Sequence, residues 1–87
     1  MSSELGLDPV ASDFLDDLHR LHSSAADRVE DALDALEADP GAAEHRRHRL
    51  VLPGDGRTVW GFVASGHMIL WRETDQAPHV LHINTIF

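Results

Sequence analysis

The first half of the chain places apolar residues three or four positions apart, which is the spacing of one face of an α-helix. Asp8-Pro9 predicts a helix start, because the Asp side chain accepts from a free backbone N–H and Pro at the first helical position loses no hydrogen bond. Ser23-Ser24 predicts a break before a second helix, and Asp39-Pro40-Gly41 predicts its end. The pattern indicates a helical hairpin over about 9–38. Its apolar positions are Phe14, Leu15, Leu18, Leu21, Val29, Leu33 and Leu36.

After Ala43 the period changes to two, which is typical of strands. The predicted strands cover about 46–52, 57–64, 67–73 and 79–86, and residues 4–7 could add a short edge strand. Turns are predicted at Pro53–Gly56 and, as a two-residue hairpin, at Ser65-Gly66. The fold class is therefore α+β: one domain over 1–87, with an N-terminal helical hairpin on one face of a mostly antiparallel sheet of four or five strands.

The two-residue hairpin fixes a register, because its flanking residues must lie opposite each other. Trp60 then faces Trp71, and Phe62 faces Ile69. We expect the helices to cover this bulky face, with Leu81 and Ile83 joining it. The remaining side, called the open face below, is expected to carry Val59, Gly61, Val63, Met68, Leu70, Arg72, Val80, His82, Asn84 and Ile86.

No further helix is predicted to cover the open face, although most of its residues are apolar. Monomers seldom expose an apolar patch above about 300–600 Å². We therefore expect another polypeptide to cover it, either a second copy or a different protein. The alternative is that the C-terminal residues or a stronger sheet twist shield it. The candidate partner-binding residues are Val59, Val63, Met68, Leu70, Val80 and Ile86.

Composition limits the function classes. The chain has 87 residues, a net charge of -8 and no cysteine, which excludes a generally basic nucleic-acid coat, a disulfide scaffold and a thiol nucleophile. Charge is uneven: residues 1–44 hold twelve acids and two Arg, whereas residues 45–87 hold three acids and five Arg.

No apolar run approaches the roughly 20 residues of a membrane helix. The N-terminus lacks the features of a signal peptide, so we expect a cytoplasmic protein with no membrane contact.

Two groups of residues offer other chemistry. His19 and His22 form the one His pair at i, i+3 that is predicted on a helix, where two imidazoles could share a metal; solvated histidines are the alternative, and neither a metal nor a cofactor is predicted. The run His45–Arg49 is the basic cluster of the chain. It could contact phosphates of RNA or DNA. The alternatives are a solvated edge strand and a patch that pairs with the acidic helices of a neighbouring copy.

A short strand, a helical hairpin that ends in LEADP, and a meander with VWGFVASGHMILWRE and VLHINTIF resemble the RelE/ParE superfamily. These proteins are the toxins of type II toxin–antitoxin pairs, and the resemblance covers about residues 5–87. It implies a small toxin held inactive by an antitoxin that wraps around it. RelE-type members cut mRNA in the ribosome, and ParE-type members inhibit DNA gyrase.

The resemblance also implies where the chemistry would lie. RelE-type members use Lys or Arg on the open face to steady the phosphate, and a polar residue near the C-terminus. The family's Tyr-Arg pair is His67-Met68 here, and a thioether cannot bind a phosphate. If the protein is an enzyme, it is expected to be a ribosome-dependent mRNA endoribonuclease that lacks most of the basic catalytic set. The candidate catalytic residues are Arg72, His82, Arg57 and Arg49.

The expected function is thus that of a toxin-like component of a type II toxin–antitoxin pair. It would bind a partner through the open face and inhibit growth by a ParE-type or RelE-type mechanism, with DNA gyrase or the ribosome and its mRNA as the target. The partner would be an antitoxin protein or a second copy of the chain. The alternative is a non-toxic interaction module or homodimer that keeps the fold without the ribonuclease chemistry.

Overall fold

The computed structural model of the protein describes residues 5–51, 54, 58–75 and 77–86. Two helices pack on one face of a five-stranded sheet, which confirms the α+β prediction. Arg57 and most of the predicted turn at 53–56 lie outside the described residues. The elements in chain order are β1 (Gly6–Leu7), α1 (Pro9–Leu21), α2 (Ser23–Ala38), a 3₁₀ turn (Ala43–His45), β2 (His48–Val51), β3 (Thr58–Ala64), β4 (His67–Arg72) and β5 (His79–Thr85).

The helical hairpin begins and ends close to where the sequence predicts. Asp8 is the N-cap of α1, with extended backbone and a side chain that accepts from the N–H of Val10 at 3.4 Å. The break between the helices comes at His22, one residue before the predicted Ser23-Ser24, and the His22 N–H donates to the carbonyl of Leu18 at 2.7 Å. Asp39 ends α2, as the Asp-Pro-Gly sequence predicts.

The sheet has the strand order β1-β5-β4-β3-β2. The pairs β2–β3, β3–β4 and β4–β5 are antiparallel, but β1 runs parallel to β5, so the sheet is mixed. The predicted hairpin register is confirmed: Trp60 lies opposite Trp71, and Phe62 lies opposite Ile69. Ser65 and Gly66 have φ values of 51° and 74°, the positive pair that a tight two-residue hairpin turn requires.

A β-bulge in β5 changes one predicted face. Leu70 pairs with His82, whereas Trp71 pairs with Val80, so Leu81 has no partner across the strand. This extra residue moves Val80 to the helix side, where it is fully buried beside Trp71. The prediction that Val80 belongs to the open face is therefore wrong. Leu81, which was expected in the core with Ile83, is half-buried and lies outside the core.

The core lies between the helical hairpin and the helix side of the sheet. Full burial of a Leu, Ile or Val side chain contributes about 1.5–3 kcal/mol, so this layer supplies most of the stabilisation. Within the described residues, neither helix combines the length and the apolar character that a bilayer crossing needs. The buried core residues are Ala11, Leu15, Leu18, Ala26, Val29, Leu33, Leu36, Phe62, Ile69, Trp71, Val80 and Ile83.

Candidate partner-binding face of the sheet

The open face is the side of the sheet away from both helices. Its members follow from the strand registers, because residues opposite each other on neighbouring strands point to the same side. Across the four longer strands it consists of His48, Leu50, Val59, Gly61, Val63, Met68, Leu70, Arg72, His79, His82 and Asn84. Ile86 continues the alternation beyond β5, and its N–H donates to the carbonyl of Gly66 at 3.0 Å.

Large apolar side chains on this face are accessible to solvent. Val63 and Leu50 are each 47% exposed and Ile86 is 44% exposed, while Met68 and Leu70 are half-buried. Val59 also belongs to this side, opposite Leu50, but it is only 2% exposed. Among the predicted partner-binding residues, Val63, Met68, Leu70 and Ile86 therefore offer surface to a partner. Val59 does not, and Val80 lies on the other side of the sheet.

Gly61 is a low point in the middle of the open face. A Cβ atom at this position would lie 3.0 Å from Cδ2 of Leu70, 3.3 Å from Sδ of Met68 and 3.6 Å from Cβ of His48. The missing side chain lets the Leu70 and Met68 side chains approach the backbone of β3 closely. The Leu70 and Met68 side chains thus cover the β3 backbone at the centre of the open face, where an apolar partner would contact them.

His48 and Leu50 join the open face although they were not among its predicted members. Strand β2 pairs with β3 so that His48 lies opposite Gly61 and Leu50 lies opposite Val59. A signal for this register was present in the sequence. A turn confined to Pro53–Gly56 sets residues 51 and 58 opposite each other, and this is the observed pairing of Val51 with Thr58.

The charge of the open face differs from that of the helices. Among the described residues, the ionisable groups that the strands place on this face are His48, Arg72, His79 and His82. None is a carboxylate, and the nearest acid to them at the edge of the face is Asp8, whose Oδ1 lies 3.9 Å from Nε2 of His79. The helical hairpin carries most of the acidic residues of the chain. A partner that covers the open face therefore meets an apolar surface with neutral or positive polar groups.

The four candidate catalytic residues do not come together. Arg72 and His82 lie on the open face, on neighbouring strands. Arg49 lies opposite Trp60, so it is on the helix side of the sheet, away from the other two. Arg57 lies outside the described residues. The β2 register thus turns the Arg49 side chain away from the face that carries Arg72 and His82.

The His82 imidazole also lacks the surroundings of a catalytic base. Its Nδ1 atom is buried and has no hydrogen-bond partner among the described residues. A general base is normally oriented by a hydrogen bond from its second nitrogen to a carboxylate or carbonyl. No described residue orients His82 through its Nδ1 atom in this way, so the geometry does not favour proton transfer there.

Two residues of the basic run His45–Arg49 are occupied by contacts within the protein. His45 is 4% exposed, and its Nδ1–H donates to the carbonyl of Asp39 at 2.8 Å. Arg46 lies over the rings of Trp60 and Trp71, 4.9 and 5.4 Å from their centroids. Its Nε–H donates to the carbonyl of Pro40 at 3.0 Å, and its guanidinium forms an ion pair with Glu73. Only the exposed Arg47, His48 and Arg49 are left to contact phosphates.

A cleft of about 710 Å³ opens beside Arg46, at the end of β3 and β4. Arg46 and Arg72 line it together with two carboxylates, those of Glu73 and Asp75. The two charge signs lie side by side, and Arg46 already has protein partners. The cleft therefore gives no clear preference for an anionic ligand. Its remaining lining residues are Thr58, Trp60 and Thr74.

A scan against protein-family models gives no match, and searches of curated proteins and of solved structures give none either.

Proposed function

We propose that this protein acts by binding another polypeptide on its open face, as the toxin-like component of a type II toxin–antitoxin pair. One observation carries the proposal: both helices pack on the opposite side of the sheet, while Leu50, Val63 and Ile86 remain 44–47% exposed on the open face. Covering such side chains with a partner removes apolar area from water, which contributes a favourable free energy of about 25 cal/mol for each Å² buried. The observed order of a short strand, a helical hairpin and a meander is also the order on which the resemblance to the RelE/ParE superfamily rests.

The partner is expected to be a different protein and not a second copy. Each chain has a net charge of -8, so two copies repel each other at long range. The described strands place His48, Arg72, His79 and His82 on the open face and no carboxylate, with Asp8 beside His79 at its edge. The segment that complements it is apolar with acidic side chains, and the exposed residues of β2 give it an edge strand on which to pair.

The second candidate function is a non-toxic interaction module. It is favoured by the separation of Arg49 from Arg72 and His82, since phosphodiester cleavage needs cations that converge on one phosphate. Within the toxin proposal, the same observation favours inhibition of a protein target such as DNA gyrase over cleavage of mRNA in the ribosome. The proposal places the protein and its target in the cytoplasm.

Two measurements test the proposal. Induced expression of the protein should arrest growth, and co-expression of the polypeptide from an adjacent reading frame should restore it. The purified pair should then form a one-to-one complex in size-exclusion chromatography. The double variant Leu50→Gln, Val63→Thr should weaken this complex at least tenfold. Leu21→Gln is the matched control, because Leu21 is 67% exposed on α1, outside the open face.

Each part can fail separately. Normal growth at high expression, with the complex intact, would identify a non-toxic module. A dimer of the isolated chain that dissociates in the double variant would assign the open face to a second copy. A complex equally weakened by Leu21→Gln would contradict the assignment of the open face.

A further inference from the structure

We propose that the helical hairpin holds a divalent metal ion of the zinc class between His19, Asp27 and Glu30. His19 belongs to α1, whereas Asp27 and Glu30 lie one turn apart on α2. The inference is independent of the proposed function, because the three residues are on the helices and not on the open face.

The geometry brings three ligand atoms from two helices to one point. One nitrogen of His19 and one oxygen from each carboxylate all lie within 4.8 Å of one another. The His19 Nε2 atom is 2.9 Å from Oε1 of Glu30. Zinc binds His nitrogen and carboxylate oxygen at about 2.0–2.2 Å, so its ligands lie roughly 3.4 Å apart. Small side-chain rotations bring the three groups to that spacing.

The position of the hairpin break creates this arrangement. The helices are joined by His22 alone, so the last turn of α1 is held against the first turns of α2. The spacing of three residues puts Asp27 and Glu30 on one face of α2. The i, i+3 spacing in the sequence pairs His19 with His22, but His22 is the capping residue between the helices and is not a member of this group.

The local charge favours a bound cation. Asp27 and Glu30 belong to an acidic stripe on α2, and like charges on neighbouring turns oppose the helix. The structure gives Asp27 no ion pair within the described residues, and the one ion-pair partner of Glu30 there is His19. A divalent ion between the helices would neutralise both carboxylates and link the helices. The other acids of the stripe are Asp31, Asp34 and Glu37.

The donor set points to the class of metal. An imidazole with carboxylates suits zinc, nickel or cobalt, whereas magnesium and calcium prefer oxygen ligands alone. Three protein ligands leave a fourth tetrahedral position for water. The site is half-exposed, so the ion would exchange with solvent and contribute stability by binding the folded hairpin only.

Isothermal titration of the untagged full chain with zinc chloride, in a non-chelating buffer, tests the site. We expect saturable binding of one ion per chain and a rise in Tm with zinc, with no comparable rise with magnesium. His19→Ala and Glu30→Gln should each weaken zinc binding at least tenfold, equivalent to about 1.4 kcal/mol. Far-UV circular dichroism should show that both variants keep the helical content of the wild type.

The matched controls are His22→Ala and Glu37→Gln. The first removes an exposed imidazole from the same hairpin, and the second removes the same charge from the same helix as Glu30→Gln. Both should bind zinc within about twofold of the wild type, because neither residue belongs to the group. Absence of saturable binding, or equal weakening by a control and its test variant, would overturn the proposal. Absence of saturable binding would mean that His19 and Glu30 form an ion pair without a metal. Equal weakening by a control would mean that zinc is attracted nonspecifically to an acidic surface.

Discussion

The indole Nε1–H of Trp71 donates a hydrogen bond to the backbone carbonyl of His45, with 2.8 Å between the two heavy atoms. Trp71 is fully buried in β4, and His45 is the buried last residue of the 3₁₀ turn. The bond ties the segment after the helical hairpin to the centre of the sheet. It also positions the segment that follows His45. In this segment Arg46 lies over both Trp rings, and β2 begins two residues later.

Trp71→Phe should therefore destabilise the fold through two effects. The substitution leaves the His45 carbonyl buried without its donor and opens a cavity where the larger ring was. Together these should lower the free energy of unfolding by about 2–4 kcal/mol. Urea denaturation measures the change.

Trp60→Phe is the control for that measurement. Trp60 faces Trp71 on the same side of the sheet but is only half-buried. Its loss should cost less than about 1.5 kcal/mol. If the two variants lost equal stability, the hydrogen bond to His45 would contribute nothing beyond the removal of ring area.

Arg46→Lys should destabilise the protein although it keeps the positive charge. A Lys ammonium has no counterpart to the Nε–H that bonds to Pro40, and it cannot stack as a plane on Trp60 and Trp71. We expect a loss of about 1–2 kcal/mol in the free energy of unfolding. Arg47→Lys, at an exposed neighbour, should change it by less than about 0.5 kcal/mol. A fully stable Arg46→Lys protein would mean that charge alone accounts for this residue.

Ser65→Asn should stabilise the β3–β4 hairpin. Ser65 has a φ of 51°, a left-handed conformation that Asn adopts more easily than Ser, and Asn-Gly is the preferred pair for such a turn. The expected gain is about 0.5–1 kcal/mol, read as a rise in Tm. Ser65→Val should lower the Tm, because a β-branched residue disfavours positive φ. A rise in both variants would indicate that the turn tolerates any residue there.

The double variant Arg72→Ala, His82→Ala should retain any growth inhibition caused by the wild type. The two side chains share the open face, but Arg49 points to the other side and His82 has no orienting partner among the described residues. Growth curves after induced expression, with immunoblots to match protein levels, measure the effect. Restored growth in the double variant, but not in Arg49→Ala, would instead support ribonuclease chemistry at Arg72 and His82.

Local rules explain why so much of the architecture was predictable. The helix start at Asp8, the end of α2 at Asp39 and the register across Ser65-Gly66 each depend on a few adjacent residues. The alternation on β3 and β4 then assigns their two faces, because a strand that is buried on one side cannot slip by one residue without exposing its core. The candidate surface formed by Val63, Met68 and Leu70 was predictable for the same reason.

Only the tertiary structure decided the features that depend on distant elements. The bulge at Leu81 moves Val80 into the core. The extra residue lets Val80 lie opposite Trp71 while Ile83 lies opposite Ile69, so both side chains face the helices. The meeting of His19 with Glu30 depends on how closely one helix folds back on the other. The sequence by itself determined the type of both helices and of the longer strands, and most of the side chains that leave water. The docking of those elements decided which polar groups meet, since a contact between residues far apart in the chain leaves no periodic signal.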